Sequence, residues 1–358
     1  SAGQAITTGI SNTLVGGLAG DALTTGARNV AIGYAALSTE DGHGRTVAIG
    51  YRTLVAQDAG AEAYNVAVGY EAGAAMSTGT QNTLIGSQAG DALTTGTNNV
   101  AMGYGALGSE DTGGQNVAIG VNALNTANYD GNGLNVAVGY GAGAAVTTGI
   151  KNTLIGSLAG DALTTGVRNM AIGQGALGTE DTGSNNTAVG TFALETLNYD
   201  GAGANTAVGY NAGASLSTGI QNTLVGAEAG DALTDGTRNV AIGYTSLGSE
   251  TGGDRNIAIG MDALRVQDGA NYNTAVGDSA GEMLTTGEDN VFVGGLAGDA
   301  ITTGSKNVAV GMLALSAEDA HGKNTAIGYS TLNAQDAGVD AYNVAVGYEA
   351  GKTVSTGF

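Results

Sequence analysis

The chain has 358 residues; 65 are glycine, more than twice the usual ~7% share, and none is proline, cysteine or tryptophan. Only 12% of residues are charged, yet acids outnumber bases 32 to 11, for a net charge of -21. This excludes a disulfide scaffold, a thiol-based zinc site and collagen; no apolar run is long enough to span a bilayer, and the acidity argues against nucleic acid or an anionic membrane as partner.

A motif of the type Asn-Val-Ala-Val-Gly, as at 65–69, recurs along the whole chain. With its first residue as position zero, it starts at Asn12, Asn29, Thr46, Asn65, Asn82, Asn99, Asn116, Asn135, Asn152 and Asn169. It continues at Asn186, Asn205, Asn222, Asn239, Asn256, Asn273, Asn290, Asn307, Asn324 and Asn343. The spacing runs 17, 17, 17, 19, a block of 70, with one 19 shortened to 17 between Asn256 and Asn273. The reading is one continuous array over 1–358, five blocks of four coils with no linker. Ser1 falls near +6 of one coil and Phe358 at +15 of another, so the expectation is a segment of a longer array.

Within a block the coils differ in order. The first carries Ala-Gly-Asp-Ala-Leu-Thr-Thr-Gly, as at 89–96. The second has Glu-Asp at its far turn, as at Glu110 and Asp111. The third has a longer turn, with Asn-Tyr-Asp-Gly at 128–131 and 198–201, and the fourth ends in Ser-Thr-Gly or Thr-Thr-Gly. Seventeen residues are too few for a βαβ unit and suit one turn of a β-solenoid. The all-β prediction is a parallel β-roll of about twenty coils of 17–19 residues. At ~4.8 Å per coil it would form a rod ~95 Å long.

Positions +1 to +4 predict a short β-branched strand, closed by a glycine at +4 in all twenty coils. A second strand is expected over +7 to +12. In strand one, Val66 and Val68 share one face and Ala67 and Gly69 the other. Both faces are apolar, so both call for burial. A neighbouring subunit set against the small Ala and Gly would supply the missing cover, which argues for a homo-oligomer. The competing reading is a wider, three-sided monomeric coil that takes both sets inside. Ten coils carry Leu at +8, and the other ten carry Gly there with a large apolar residue at +11, as a fixed interior volume requires. Position +7 is Ala in 17 coils, which fits a tight corner. The asparagines Asn12, Asn29, Asn65, Asn82, Asn99 and Asn116 head a ladder of coil-to-coil hydrogen bonds.

The segments Asn-Val-Ala-Val-Gly-Tyr-Glu-Ala at 65–72 and Asn-Val-Ala-Ile-Gly-Val-Asn-Ala at 116–123 resemble the head repeats of YadA-like trimeric autotransporter adhesins. They are equally similar to repeat shafts of phage tail fibres. The resemblance covers all twenty coils. It implies a left-handed parallel β-roll, three chains about one axis, and an adhesive or spacer role at a cell surface or on a virion. The 17-17-17-19 period departs from the family's shorter repeat.

Candidate chemistry is sparse. The only histidines are His43 and His321, and neither has the spacing of a catalytic triad. The pairs Glu40–Asp41, Glu110–Asp111, Glu180–Asp181 and Glu318–Asp319 read as solvated turns, and no enzyme activity or cofactor is expected. Calcium is the one ion considered. Asp21, Asp91, Asp161, Asp231 and Asp299 lie at +9 of every first coil, where an Asx-turn explains them as well. Eight of the eleven bases precede position zero: Arg28, Arg45, Lys151, Arg168, Arg238, Arg255, Lys306 and Lys323. They should line one outer corner and pair with acidic turns. Nine of fourteen tyrosines sit at +5, among them Tyr34, Tyr51, Tyr70, Tyr104, Tyr140 and Tyr210. They form a column that lids a corner or stacks a sugar. The expectation is a non-enzymatic extracellular fibre shaft or head, bearing on a host-surface glycan and not inserted in a membrane. The alternatives are a self-assembling filament subunit and a glycan- or ice-binding solenoid; adjacent Thr pairs such as Thr94–Thr95 suit ice poorly.

Overall fold

The computed structural model describes residues 1–356; Phe358, noted above as the last coil position, lies outside the described residues. The chain divides into two units, Ser1–Thr182 and the residues from Gly183 on. In the first unit, ten strands of three residues head the coils. They are β1 (Thr13–Val15), β2 (Val30–Ile32), β3 (Val47–Ile49), β4 (Val66–Val68), β5 (Thr83–Ile85), β6 (Val100–Met102), β7 (Val117–Ile119), β8 (Val136–Val138), β9 (Thr153–Ile155) and β10 (Met170–Ile172). Each pairs in parallel with the next at a fixed register; Val66, Ala67 and Val68 face Thr83, Leu84 and Ile85. The second unit repeats the plan with β11 (Thr187–Val189), β12 (Thr206–Val208), β13 (Thr223–Val225), β14 (Val240–Ile242), β15 (Ile257–Ile259), β16 (Thr274–Val276), β17 (Val291–Val293), β18 (Val308–Val310), β19 (Thr325–Ile327) and β20 (Val344–Val346). Here Val291, Phe292 and Val293 face Val308, Ala309 and Val310. Each unit is a parallel β-solenoid. Among the described residues there is no helix, hence none long and apolar enough to cross a membrane.

The second strand expected over +7 to +12 does not form. Those residues are turns. The backbone explains why: every non-glycine residue with positive φ falls at -1, +6 or +8 of a coil, for example Arg28, Arg52 and Leu54. A left-handed residue at +6 and another at +8 break the extended alternation a strand needs. The turns still stack. Arg52 N donates to Tyr34 O of the coil before at 2.9 Å, and Leu54 N to Ala72 O of the coil after at 3.0 Å. Each coil thus keeps its neighbours in register without a second sheet.

The two faces of strand one are the reverse of the expectation. The middle residue, Ala67 or Leu84, points inward and is fully buried, while Val66 and Val68 point outward and are half-buried. In most coils the inner face takes a small Ala because the interior is already filled from the turns, by Ala at +7 and Leu at +8 or +11; in the first coil of each block it takes Leu or Phe292. The volume rule holds: Leu54 and Leu107 at +8, and Leu23, Met76, Leu93 and Val146 at +11, are fully buried. A Cβ on Gly90 would lie 2.8 Å from Leu93 Cδ1 and 2.9 Å from Leu84 Cδ2, so that coil has no room for a side chain at both +8 and +11. The interior takes one face only, which rules out the wide coil that swallows both.

Candidate functional site

The tyrosine column follows from the turn after the strand. Glycine at +4 turns the chain, and +5 emerges beside the outer face. Tyr34, Tyr51 and Tyr70 stack face to face, with centroids 5.6 and 5.3 Å apart and planes within 15°. Tyr329 and Tyr348 do the same at 5.4 Å. The faces between stacked rings are taken by each other, so these runs offer edges and hydroxyls to a ligand. Tyr104, Tyr140 and Tyr210 are about half-exposed. Their neighbours at +5 are Ser87 and Val121, Val121 and Ser157, and Thr191 and Ala227. None of the three has a tyrosine one coil away to stack on. Replacing Tyr51 by Ala removes two stacking contacts at once. The expected cost is about 1–2 kcal/mol in urea unfolding, against little change for Tyr140→Ala.

The asparagine ladder is present, and its bonds are more specific than side-chain stacking. Asn82 Oδ1 accepts the backbone N–H of Asn99 at 2.9 Å, and Asn82 Nδ2 donates to Gly96 O at 2.9 Å. In the second unit Asn222 Oδ1 accepts Asn239 N at 2.9 Å, and its Nδ2 donates to Gly236 O at 2.8 Å. One side chain thus ties a coil to its neighbour and closes its own far turn, which requires both an acceptor and a donor on a short stem. Asn29, Asn65 and Asn99 are buried in the same role; Asn12, half-buried, also makes both bonds. Buried Asn116 keeps the coil-to-coil bond to Asn135 N, but its Nδ2 turns back to Asn99 Oδ1 and Gly114 O, both at 3.1 Å.

The bases at -1 lie along one exposed corner in the left-handed conformation. Some find the expected acids, Arg45 with Glu62 at 3.1 Å and Lys323 with Asp340 at 2.5 Å. The missed partner is aromatic: Arg45 and Arg255 lie 5.2 Å from the ring centres of Tyr64 and Tyr272, and Lys323 Nζ 4.9 Å from that of Tyr342.

The reading of the Glu-Asp pairs as solvated turns is half wrong. Glu40, Glu110, Glu180, Glu250 and Glu318 stand at +11, the place of a core leucine in other coils, and are at most 1% exposed. Their backbone turns inward there, so the side chain enters the interior and must find donors. Gln57 Nε2 donates to Glu40 Oε2 at 3.4 Å, and Gln57 Oε1 accepts Asn65 Nδ2 at 2.9 Å. The same relay joins Glu250, Gln267 and Asn273, at 2.8 and 3.0 Å. It recurs at Glu318, Gln335 and Asn343, at 3.3 and 3.0 Å. In the coil from Asn116 the residue at +11 is Ala127, and Tyr129 fills the space instead. Its hydroxyl donates to Asn116 Oδ1 at 2.6 Å. Glu110 therefore has no glutamine. Its Oε1 accepts Gly113 N at 2.6 Å, Oε2 has no hydrogen-bond partner among the described residues, and burial pushes its carboxyl up to about 7.

Among the described residues, two groups converge enough to hold a cation: Glu40, Asp41, His43 and Asp58, and their counterparts Glu318, Asp319, His321 and Asp336. In each, one donor atom per residue lies within 4.8 Å of the others. The +9 aspartates considered for calcium belong to neither group. Asp91 instead takes hydrogen bonds from its own N–H and that of Ala92, as an Asx-turn does, and burial raises its carboxyl, as it does those of Asp161, Asp231 and Asp299.

No protein-family model matches the chain, and no curated protein is similar to it.

Proposed function

We propose that the chain is the repeat shaft or head of an extracellular or virion fibre, a non-enzymatic spacer with a multivalent turn surface. In this reading its coils run as one left-handed array and three copies pack about a common axis. The observation that carries it is the outer strand face. Positions +1 and +3 are β-branched or large throughout, and Ile119, Val208, Ile242 and Ile327 remain more than a third exposed. A face of this kind repeated on every coil of both units is more apolar surface than an isolated soluble chain tolerates. Its regular register gives a second copy a matching surface. The column of +5 tyrosines borders that face, so packing there would leave the tyrosine rings at the rim, where a host surface is met.

The test is mass and length together, by light scattering and negative-stain microscopy over a concentration series. Three chains in a rod ~95 Å long are expected. A monomer that stays soluble would sink the packed-face argument. Threads that lengthen with concentration would favour a self-assembling filament over a fixed shaft.

A further inference from the structure

We infer that a notch beside Tyr104 binds a neutral pyranose sugar. The inference deepens the adhesive reading above and rests on it. In the coil from Asn99, +6 is Gly105 and +9 is Gly108. The coil before places Gln88 and Asp91 at these positions, and the coil after places Asn122 and Asn125. Two bare backbone positions between two pairs of polar side chains leave a cavity of about 420 Å³, open to solvent, with Tyr104 and Ser109 completing its wall. Such a volume falls within the ~300–1,000 Å³ of small-ligand sites.

The walls define the chemistry. A Cβ on Gly105 would meet Asn122 Oδ1 at 2.9 Å, and one on Gly108 would meet Asn125 Nδ2 at 3.0 Å, so both amides border the bare backbone. Asn125 is pinned by its own bond, Nδ2 to Gly105 O at 2.8 Å, which leaves its Oδ1 free to accept. The side-chain amides of Gln88 and Asn122 and the hydroxyl of Ser109 have no hydrogen-bond partner among the described residues. Planar amides present a donor and an acceptor side by side, which matches neighbouring hydroxyls on a sugar ring. The half-exposed aromatic side chain of Tyr104 suits the C–H face of the sugar. An apolar ligand would strand the amides. An anionic one would meet Asp91 with no lysine or arginine in the lining.

The coil from Asn169 also has glycines at +6 and +9, Gly175 and Gly178, but its +5 residue is Gln174 and the coils on either side carry Leu158 and Asp161, and Phe192 and Glu195, so the amide pairs and the tyrosine are missing. In the remaining second coils +6 carries a side chain. Thr245 occupies +6 in the coil from Asn239, and its hydroxyl donates to Asp262. In the coil from Asn307, +6 is Leu313, and Asn333 Nδ2 bonds Ser316 Oγ at 2.5 Å across +9.

The experiment uses saturation-transfer NMR on the whole chain. The probes are methyl β-D-glucopyranoside, methyl α-D-mannopyranoside, methyl β-D-galactopyranoside and N-acetyl-D-glucosamine. At least one should bind with a millimolar Kd. Tyr104→Ala should weaken it roughly tenfold, the scale of a lost ring-face contact. The double variant Gln88→Ala, Asn122→Ala should do the same, and it is expected to fold, because Ala35 holds the same left-handed conformation at +6 of another coil. Tyr140→Ala, an exposed +5 tyrosine outside the notch, should change nothing. No binding by any of the four sugars, or binding that survives Tyr104→Ala, overturns the inference. Mass and length measured on the same samples separate the two readings. An oligomeric rod that ignores sugars sinks the notch alone, and a monomer that binds at Tyr104 sinks the packed face alone.

Discussion

Gly294→Ala is expected to cost at least about 4 kcal/mol, while Gly295→Ala, one residue along, should stay within about 0.5 kcal/mol. Gly294 is the +4 glycine of its coil, with φ of +133°. A Cβ there would lie 2.6 Å from the carbonyl carbon and 2.8 Å from the oxygen of Gly311, the same position one coil on. Both obstacles are backbone, and moving them moves the next coil, where a Cβ on the +4 glycine, Gly311, would itself lie 2.4 Å from Gly328 O. The strain of an unfavoured φ adds to the clash. Gly295 lacks both problems: its φ is not left-handed, and the nearest atom to its Cβ would be Asp278 O at 3.8 Å. Urea unfolding followed by circular dichroism decides the matter. Equal losses for the two variants would mean that the close approach of successive +4 positions is not what sets the coil spacing.

That close approach is also why so much of the fold was legible in the sequence. A position that faces its own copy one coil away must satisfy the same constraint every time, so the +4 glycine, the zero asparagine and the +8/+11 exchange show as period and not as composition. The turns were misread for the opposite reason. Their left-handed positions accept any side chain that is not β-branched in nearly every coil, so Arg52, Glu71 and Leu54 carry no mark of their φ. The inner and outer faces were exchanged because an Ala at +2 looks like a surface waiting for a partner, until the turns are seen to fill the interior. Of the site residues, the buried glutamates had one readable signal. Gln57, Gln267 and Gln335 each stand 17 residues after a +11 glutamate, and glutamine at a core position needs a polar partner. The notch at Tyr104 had a weaker one, two glycines at +6 and +9 of a single coil with amides on either side.

The glutamates set the interior chemistry apart from the surface. Glu250 is met by the N–H groups of Gly253 and Gly269 at 2.6 and 2.7 Å and by Gln267, so both of its carboxyl oxygens accept hydrogen bonds. Glu110 has the same place in its coil and fewer donors. Blocks that carry the glutamine relay therefore meet the buried glutamate with a side-chain donor, and the block that carries Tyr129 trades that relay for an aromatic ring and a phenol bonded to Asn116. Stability along the array is a sum of such coil terms and their interfaces, so the two kinds of block need not respond alike to pH.

Glu110 makes that difference measurable. In the unfolded chain its carboxyl titrates at the ordinary 4.5; in the fold burial moves it to about 7, against the pull of the Gly113 N–H. Below pH ~4.5 both states are protonated and the group contributes no pH dependence. Between pH ~4.5 and ~7 the unfolded state gives up its proton while the folded state keeps it, so stability falls as pH rises. The slope approaches 1.4 kcal/mol per pH unit, and the loss levels off above pH ~7 at about 3 kcal/mol. Glu110→Gln, which cannot ionise, should lose this component. Its stability relative to the unsubstituted chain should therefore improve by about 3 kcal/mol from pH 4 to pH 8. The raised carboxyls of Asp91 and Asp161 act in the same direction in both proteins and cancel in the comparison. Urea midpoints across that range, with hydrogen exchange at the Gly113 amide as the local readout, supply the measurement. Parallel pH curves for the two proteins would mean that Glu110 stays ionised inside the coil, the backbone N–H groups of Gly113, Tyr129 and Thr112 outweighing its burial.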